Sequence, residues 1–142
     1  MSSKSAASGY SGTPLAKKLG LKPGFRINIV NQPDYYYELF SDLPLGIREV
    51  TNRKAKKNFI HYFVTDANRL KRDIKGLRRE MEEDGMIWVS WPKKSAKLET
   101  DLDENVVRNI ALSNGLVDVK VCAVDEVWSG LKLVVRLKDR AR

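Results

Sequence analysis

The stretch Ser90–Lys94 has the residue types of an anion site. Lys93 and Lys94 follow Pro92, so two ammonium groups stand side by side on a turn that proline restricts. They could hold a phosphate or a carboxylate, and the indole of Trp91 would offer a stacking surface. The alternative is a tryptophan that closes the core beside two solvated lysines. Sequence alone favours that structural role slightly, and the stretch remains the first place to look for a ligand.

Two adjacent carboxylates, Asp125 and Glu126, lie close to Trp128 and form a second candidate. Paired carboxylates perform acid–base chemistry only where their side chains converge. Neighbours on a strand point to opposite faces, so convergence would need a turn here. The turn signal at Ser129-Gly130 explains the segment without chemistry, and an ion pair or a cap is the commoner role for either acid.

A weaker candidate is the approach to the first helix, through Ser11, Gly12 and Thr13. We expect a helix from Thr13 and Pro14 to Gly20, and the N-terminus of a helix is a general place to hold an anion. The segment lacks the Gly-Lys-Ser/Thr ending of a phosphate-binding loop. An N-cap and a docked arm explain it more simply.

The chain has one histidine and one cysteine, which limits the chemistry further. A His-rich metal cage, a multi-cysteine zinc site and an intramolecular disulfide framework are all excluded. His61 lies in the apolar run 59–64, where a core histidine is expected, and Cys122 lies in a strand with alternating burial. We predict no catalytic residue, no metal ligand and no cofactor.

The net charge of +8 is unevenly distributed along the 142 residues. The excess of basic residues lies in the arm 1–24, the cluster Arg53–Lys57, the pair Lys93–Lys94 and the tail Lys138–Arg142. Such patches favour an anionic small molecule or an acidic partner through counterion release, although solvated loops and tails are the simpler explanation.

A long helix predicted over 66–84 carries six basic residues together with six acidic ones, counting to residue 84. The acids cancel the positive charge and crowd the C-terminal end of the helix, against the helix dipole. We therefore interpret this helix as a solvated outer face with local ion pairs. Nucleic-acid binding stays possible but is not favoured.

The hydrophobic pattern of the sequence predicts an α/β fold, which holds these candidate residues in place. Strands are predicted over 25–30, 47–50, 59–64, 86–91, 117–124 and 131–137, with helices over 13–20, 33–43, 66–84 and 103–114. This alternation predicts a three-layer, Rossmann-like, mostly parallel sheet flanked by helices. The last strand is densely apolar and the one before it alternates, so we expect a C-terminal antiparallel hairpin whose last strand inserts into the sheet. The domain is expected over 10–138, between a disordered tail over 1–9 and a basic tail over 139–142.

This fold predicts where a ligand would bind. In open parallel sheets, ligands bind beyond the carboxyl ends of the strands. Asn31, Thr65 and Ser90 mark those ends. The candidate site therefore unites them with the lysine pair Lys93–Lys94 and the segment Asp125–Trp128.

No apolar run approaches the ~20 residues that cross a bilayer, and the polar N-terminal residues lack the core of a signal peptide. We expect a cytoplasmic protein with no membrane partner.

Three segments, Gly9–Gly20, Trp88–Lys94 and Val117–Lys132, resemble a family of bacterial proteins defined only as a domain of unknown function. That resemblance spans nearly the whole chain after residue 8 and implies no activity. More distantly, residues 19–30, residues 84–90 and the terminal hairpin resemble Rossmann-type class I methyltransferases. This second resemblance implies a methyltransferase-like sheet with an antiparallel strand inserted near one edge.

The methyltransferase resemblance also implies a glycine-rich turn after the first strand, which lets backbone approach the cofactor. Here that turn reads Asn31-Gln32-Pro33-Asp34 and contains no glycine. We therefore expect a non-catalytic module that binds an anionic ligand on a degenerate methyltransferase-like fold. The alternatives are a divergent S-adenosylmethionine-dependent methyltransferase that uses Asp125 or Glu126, and a nonspecific RNA- or DNA-binding protein.

Overall fold

A computed structural model describes residues 13–140 of the chain. The tail predicted over 1–9, the candidate residues Ser11 and Gly12, and the last two residues of the basic tail lie outside that range. The helices are α1 (Leu15–Leu19), α2 (Ala67–Arg79) and α3 (Glu104–Leu112), with single 3-10 turns at Tyr36–Leu39, Lys94–Ala96 and Leu137–Asp139. The strands are β1 (Arg26–Val30), β2 (Arg48–Glu49), β3 (Lys57–Phe63), β4 (Met81–Pro92), β5 (Leu116–Ala123) and β6 (Trp128–Val135).

The six strands form one sheet in the order β2-β1-β3-β4-β6-β5. Strands β2, β1, β3 and β4 are parallel, and β6 is antiparallel to both β4 and β5. The predicted α/β class and the antiparallel insertion of the last strand are confirmed. Strands β2 and β3 lie on opposite sides of β1 in the sheet. The direction in which successive strands are added therefore reverses at β1.

The two faces of the sheet carry separate cores. On the face that we call the α1 face, helix α1 and the 36–39 turn pack on aromatic residues such as Phe59 and Trp88. The indole N–H of Trp88 donates to the carbonyl of Leu19 at 2.8 Å, which fastens the end of α1 to the sheet. On the opposite face, the α2 face, helices α2 and α3 cover β3, β4 and β6.

Local sequence signals explain where most helices begin and end. The Asp66 carboxylate accepts from the backbone N–H groups of Asn68 and Arg69 and caps α2, while Asp103 caps α3. Gly20 ends α1 with a φ of 85°. Pro14 takes the N-cap position of α1 without a side-chain cap, so Thr13, which we expected at the start of this helix, lies one residue before it.

The largest error of the sequence-based assignment concerns the end of α2. The helix stops at Arg79, five residues before the predicted end, and residues 81–92 form one long strand. Met81 is buried and pairs with Lys57 in the parallel ladder, so the chain enters the sheet as soon as the helix ends. The three acids at 82–84 therefore belong to a strand and do not lie on α2.

A second difference concerns residues 33–43, where a short helix was predicted. Only Tyr36–Leu39 are helical, in one 3-10 turn, and Phe40 is already extended. Tyr36 is fully buried against Phe63 and Phe40, and its ring anchors this segment on the α1 face.

One part of the α2 face stays open. The chain passes from β2 to β3 through residues 50–56 without a helix, so in the described range no layer covers β1 and β2 on this side. Val30 at the end of β1 is only partly buried there. None of the helices between residues 13 and 140 could cross a membrane.

Candidate anion-binding groove

A cleft of about 670 Å³ lies on this open part of the α2 face. One wall is helix α2 from Arg69 to Arg79 with the following residue Glu80, and the other is the end of β1 with Thr51 and Arg53 from the β2–β3 loop. We call this cleft the α2 groove. Helix α2 runs from the carboxyl end of β3 back to the amino end of β4. The groove beside it therefore extends parallel to the strands, from their carboxyl ends toward their amino ends.

The lining of the α2 groove is strongly basic. Side chains three and four positions apart lie on one flank of a helix, and this spacing aligns the basic residues of α2. Between Ala67 and Arg79 the helix carries six basic residues and one acid. The interpretation of a charge-neutral helix is therefore wrong, because it counted acids that lie beyond the helix. The basic residues that line the groove are Arg53, Arg69, Arg72, Lys75 and Arg79.

Both acids in the lining are already neutralised by neighbours. Arg72 donates to Asp73 at 2.9 Å, and the Tyr62 hydroxyl donates to the same carboxylate at 2.5 Å. The hydrogen bond from Arg72 is the main reason why the pKa of Asp73 lies below its usual value. Glu80 accepts from the ammonium of Lys57 at 2.7 Å.

Four of the basic residues have no such partner. Of the ion pairs between residues 13 and 140, none involves Arg53, Arg69, Lys75 or Arg79. All four side chains are exposed. A concave surface with an excess of positive charge concentrates anionic ligands.

Gly76 lies in the lining, one turn before the end of α2. A Cβ built there would meet only the guanidinium tip of Arg79, at 4.0 Å, so helix packing does not require glycine. A glycine inside a helix costs about 0.5–1 kcal/mol relative to alanine. What the glycine provides is a gap in the groove wall where the helix backbone is accessible.

We expect Gly76→Ala to raise the free energy of unfolding by about 0.5–1 kcal/mol, because alanine removes the entropic cost of glycine without a clash. Urea unfolding of the two proteins measures this. Gly130→Ala is the matched control and should destabilise, because a Cβ there meets Trp88 at 3.1 Å and Val124 at 3.2 Å. A loss of stability in Gly76→Ala would contradict this account of the helix.

The carboxyl edge of the sheet holds the residues that the sequence singled out. Asn31 follows β1 with a φ of 61°, lines the α2 groove, and donates its side-chain N–H to the Phe63 carbonyl at 3.4 Å. Thr65 is exposed beyond β3, where its carbonyl accepts from the Thr100 hydroxyl. Of the candidate residues that the structure describes, Asn31 is the one in the groove lining.

Ser90 and Trp91 lie inside the protein. The Ser90 hydroxyl is fully buried and lies 2.8 Å from Nε2 of His61, whose Nδ1 lies 2.9 Å from the Tyr36 hydroxyl. Trp91 is 5% exposed and belongs to the core of the α2 face, so its ring is not free to stack on a ligand. Lys93 is half-buried, and Lys94 is exposed.

The Asp125 carboxylate shapes the tight turn between β5 and β6. Its Oδ1 accepts from the backbone N–H groups of Val127 and Trp128, both at 2.8 Å. Burial, together with the adjacent Asp125 carboxylate, raises the pKa of Tyr35 to about 12. Glu126 is exposed. The two acids thus have different surroundings, and Asp125 is engaged in the turn.

Trp128 packs edge-on against Phe63, with ring centroids 5.1 Å apart. The carboxyl edge therefore brings together Tyr35, Phe63, Asp125 and Trp128, while Ser90 stays beneath them in the core. No group of three or more His, Cys, Asp or Glu side chains within the described residues could hold a metal ion.

Comparison with solved structures identifies the fold. A methyltransferase from Aquifex aeolicus that is described as SAM-dependent superposes with a TM-score of 0.58 and 15% identity, over 85% of this chain and 88% of that one. The ribosomal protein L11 methylase of Lactobacillus delbrueckii subsp. bulgaricus gives 0.55 and 12%, over 86% and 75%. A putative methyltransferase of Thermoplasma acidophilum gives 0.54 and 8%, over 86% and 73%. This chain has the class I methyltransferase fold. No protein-family model matches it, and neither does any curated protein sequence.

The residues of this chain do not fit the cofactor that the fold implies. The turn after β1 has no glycine, and Pro33 removes one backbone donor. The acid of the second strand, Glu49, is exposed and accepts a hydrogen bond from the Tyr37 hydroxyl on one of its two oxygens. The bare backbone turn that lets a nucleoside cofactor approach this edge is therefore the feature that the chain lacks.

The basic groove was missed at the sequence level, although two signals were present. The arginines and lysines of α2 recur at helical spacing, and the acids at 80–84 would have opposed the helix dipole. Together they indicate a helix that ends before the acids begin and keeps its positive charge.

Proposed function

We propose that this protein is a non-catalytic binding module for an anionic ligand, built on a methyltransferase-like scaffold, and that the α2 groove is its binding site. One observation carries the proposal: Arg53, Arg69, Lys75 and Arg79 line one cleft, and none of them takes part in an ion pair between residues 13 and 140. Four exposed cations held close together repel one another, and a bound polyanion relieves that repulsion.

The groove combines two basic segments that are far apart in the sequence. Arg53 comes from the basic cluster 53–57, and the remaining cations come from α2. The lysine pair Lys93–Lys94, which the sequence suggested first, does not line this cleft, and its neighbour Trp91 is buried. The larger number of cations therefore favours the α2 groove over the lysine pair.

Methyl transfer is the second function that the fold suggests, with Asp125 or Glu126 as the acid–base residue. It has less support, because the turn after β1 lacks glycine and the Asp125 carboxylate already accepts two backbone hydrogen bonds.

Isothermal titration calorimetry with inorganic tripolyphosphate tests the proposal. The unmodified protein should bind, and Arg69→Gln with Arg79→Gln should weaken binding at least tenfold, because each charge-assisted contact is worth about 1.5–3 kcal/mol. Lys71→Gln with Lys94→Gln removes the same charge, and neither lysine lines the groove; Lys71 faces Val106 and Ile110 instead.

This control variant should bind tripolyphosphate within about twofold of the unmodified protein. Equal weakening in the two double variants would show that net charge alone, not the groove, attracts the anion. S-adenosylmethionine should give no binding heat, and micromolar affinity for it would support the methyltransferase alternative instead.

A further inference from the structure

We infer that the α2 groove binds the sugar–phosphate backbone of single-stranded nucleic acid without reading its sequence. This inference rests on the proposed function and adds the class of ligand. It is carried by how the cations are spaced, by their position on both walls of the groove and by Gly76. The lack of a stacking surface in the lining accounts for the absence of sequence reading.

The cations form a row. Arg69, Lys75 and Arg79 follow one another along α2, and Arg72, which is paired with Asp73, lies between the first two. With a rise of 1.5 Å per residue, the row covers ~15 Å of helix. An extended chain of phosphates can follow a row of this length and reach Arg53 on the opposite wall, which makes four unpaired cations available to it. A compact anion with one or two charges would engage only part of it.

The two walls of the groove suit one strand. The cleft of about 670 Å³ lies between α2 and the end of β1, with Arg53 on one side and the cations of α2 on the other. One sugar–phosphate chain that lies along the cleft can contact cations of both walls. A duplex carries its phosphates on two chains, and only one of them could follow the cleft.

The lining gives the bases nothing to stack on. Among the described lining residues Tyr62 is the aromatic one, but it is 1% exposed and its hydroxyl is bonded to Asp73. Sites for nucleotides and other small molecules use apolar and aromatic walls to hold the organic part of the ligand. Without such walls the groove holds a ligand by its phosphates, which leaves the bases outside and gives no sequence preference.

Gly76 supports a close approach of the ligand. It opens the groove wall midway between Arg72 and Arg79, and neighbouring side chains do not require the gap. Glycine in such a position leaves room for a ligand to lie between the flanking arginines and contact both guanidinium groups.

Fluorescence anisotropy with a 20-nucleotide polyuridine RNA, between 50 and 200 mM salt, tests the inference. If four phosphates are neutralised on a single strand, affinity should fall about 50-fold over that range. With Arg69→Gln and Arg79→Gln, affinity should be at least tenfold weaker at 50 mM, and the loss over the range should shrink to about sevenfold. Lys71→Gln with Lys94→Gln should leave both quantities nearly unchanged.

Gly76→Leu separates shape from charge. It fills the gap in the wall without changing the net charge, and we expect it to weaken RNA binding several-fold while urea unfolding shows an intact fold. Polyadenosine RNA and the corresponding DNA should bind within a few-fold of polyuridine, because the contacts are to the backbone.

Four results would overturn the inference. Duplex RNA competing as well as single strands would contradict a site for one strand, and a strong preference for one base would contradict backbone recognition. Binding of tripolyphosphate without binding of RNA would reject the nucleic-acid ligand and leave the proposed function standing. If neither ligand bound, both proposals would fail.

Discussion

Glu80→Ala is expected to lower the free energy of unfolding by about 3–5 kcal/mol, because it leaves a buried cation without its partner. The side chain of Lys57 is fully buried, and its ammonium lies 2.7 Å from the Glu80 carboxylate and 2.7 Å from the Asn52 carbonyl. The carbonyl remains after the substitution but carries no charge. The Lys57 ammonium must then stay desolvated beside a neutral dipole or leave the core.

Urea unfolding, with the midpoint and the m-value both measured, gives the size of this effect. Glu80→Gln is the matched control, since the amide oxygen still accepts a hydrogen bond, and it should lose clearly less. Lys57→Met combined with Glu80→Ala removes both charges and should recover part of the stability. A loss below about 1 kcal/mol for Glu80→Ala would show that water reaches Lys57 in the native state.

This pair also matters for the α2 groove. The backbone N–H of Lys57 donates to the Glu80 carbonyl at 2.8 Å, so the strand and the end of α2 are joined by side chain and backbone together. Arg79, one residue earlier, keeps its place in the groove only while this joint holds.

Acidification from pH 7 to pH 5 is expected to cost about 2 kcal/mol of stability through His61 alone. Burial lowers the pKa of His61 to about 3, from a usual value near 6.5. Below pH 6.5 the unfolded chain takes up a proton on this ring, while the folded protein does not until about pH 3. The stability that the neutral ring provides is complete above pH 6.5 and is lost as pH falls, to a total of about 5 kcal/mol.

The chain has a single histidine, which makes this prediction easy to isolate. Urea unfolding at pH 7, 6 and 5 should show the loss in the unmodified protein, whereas His61→Gln should be less stable but nearly independent of pH over the same range. The neutral imidazole has one donor and one acceptor, which Tyr36 and Ser90 satisfy. A pH dependence that survives in His61→Gln would mean that other groups govern it.

The sequence predicted the sheet well because its signals are local and repeated. Alternating strands and helices require a mostly parallel sheet, and the contrast between residues 117–124 and 131–137 showed which strand of the last pair lies inside. The end of α2 could not be predicted from periodicity, because Met81 continues the apolar spacing of Leu70, Ile74 and Leu77. Residue 81 joins the sheet through its pairing with Lys57, which lies 24 positions earlier in the sequence.

The candidate site was predictable only in part, for a similar reason. The strand ends could be located, but whether a side chain there faces a ligand or the core depends on packing from distant segments. Ser90 is buried and bonded to His61, which in turn is bonded to Tyr36, and the sequence around residue 90 contains no sign of these distant partners. The α2 groove exists because the β2–β3 connection contains no helix, which leaves Arg53 opposite Arg69 and Arg79.

Because β1 and β2 are uncovered on the α2 face, the two walls of the groove differ in local stability. Helix α2 is packed on the central strands, whereas β2 contributes only Arg48 and Glu49, both exposed, and rests on a single neighbouring strand. Local opening requires least free energy where few apolar contacts are lost. Helix α2 is therefore the rigid wall of the groove, whereas β2 and the loop after it, which carries Arg53, open more easily. A strand of phosphates that bridges Arg53 and α2 would hold this loop against the helix. The amide hydrogens of β2 should then exchange more slowly in the complex than in the free protein.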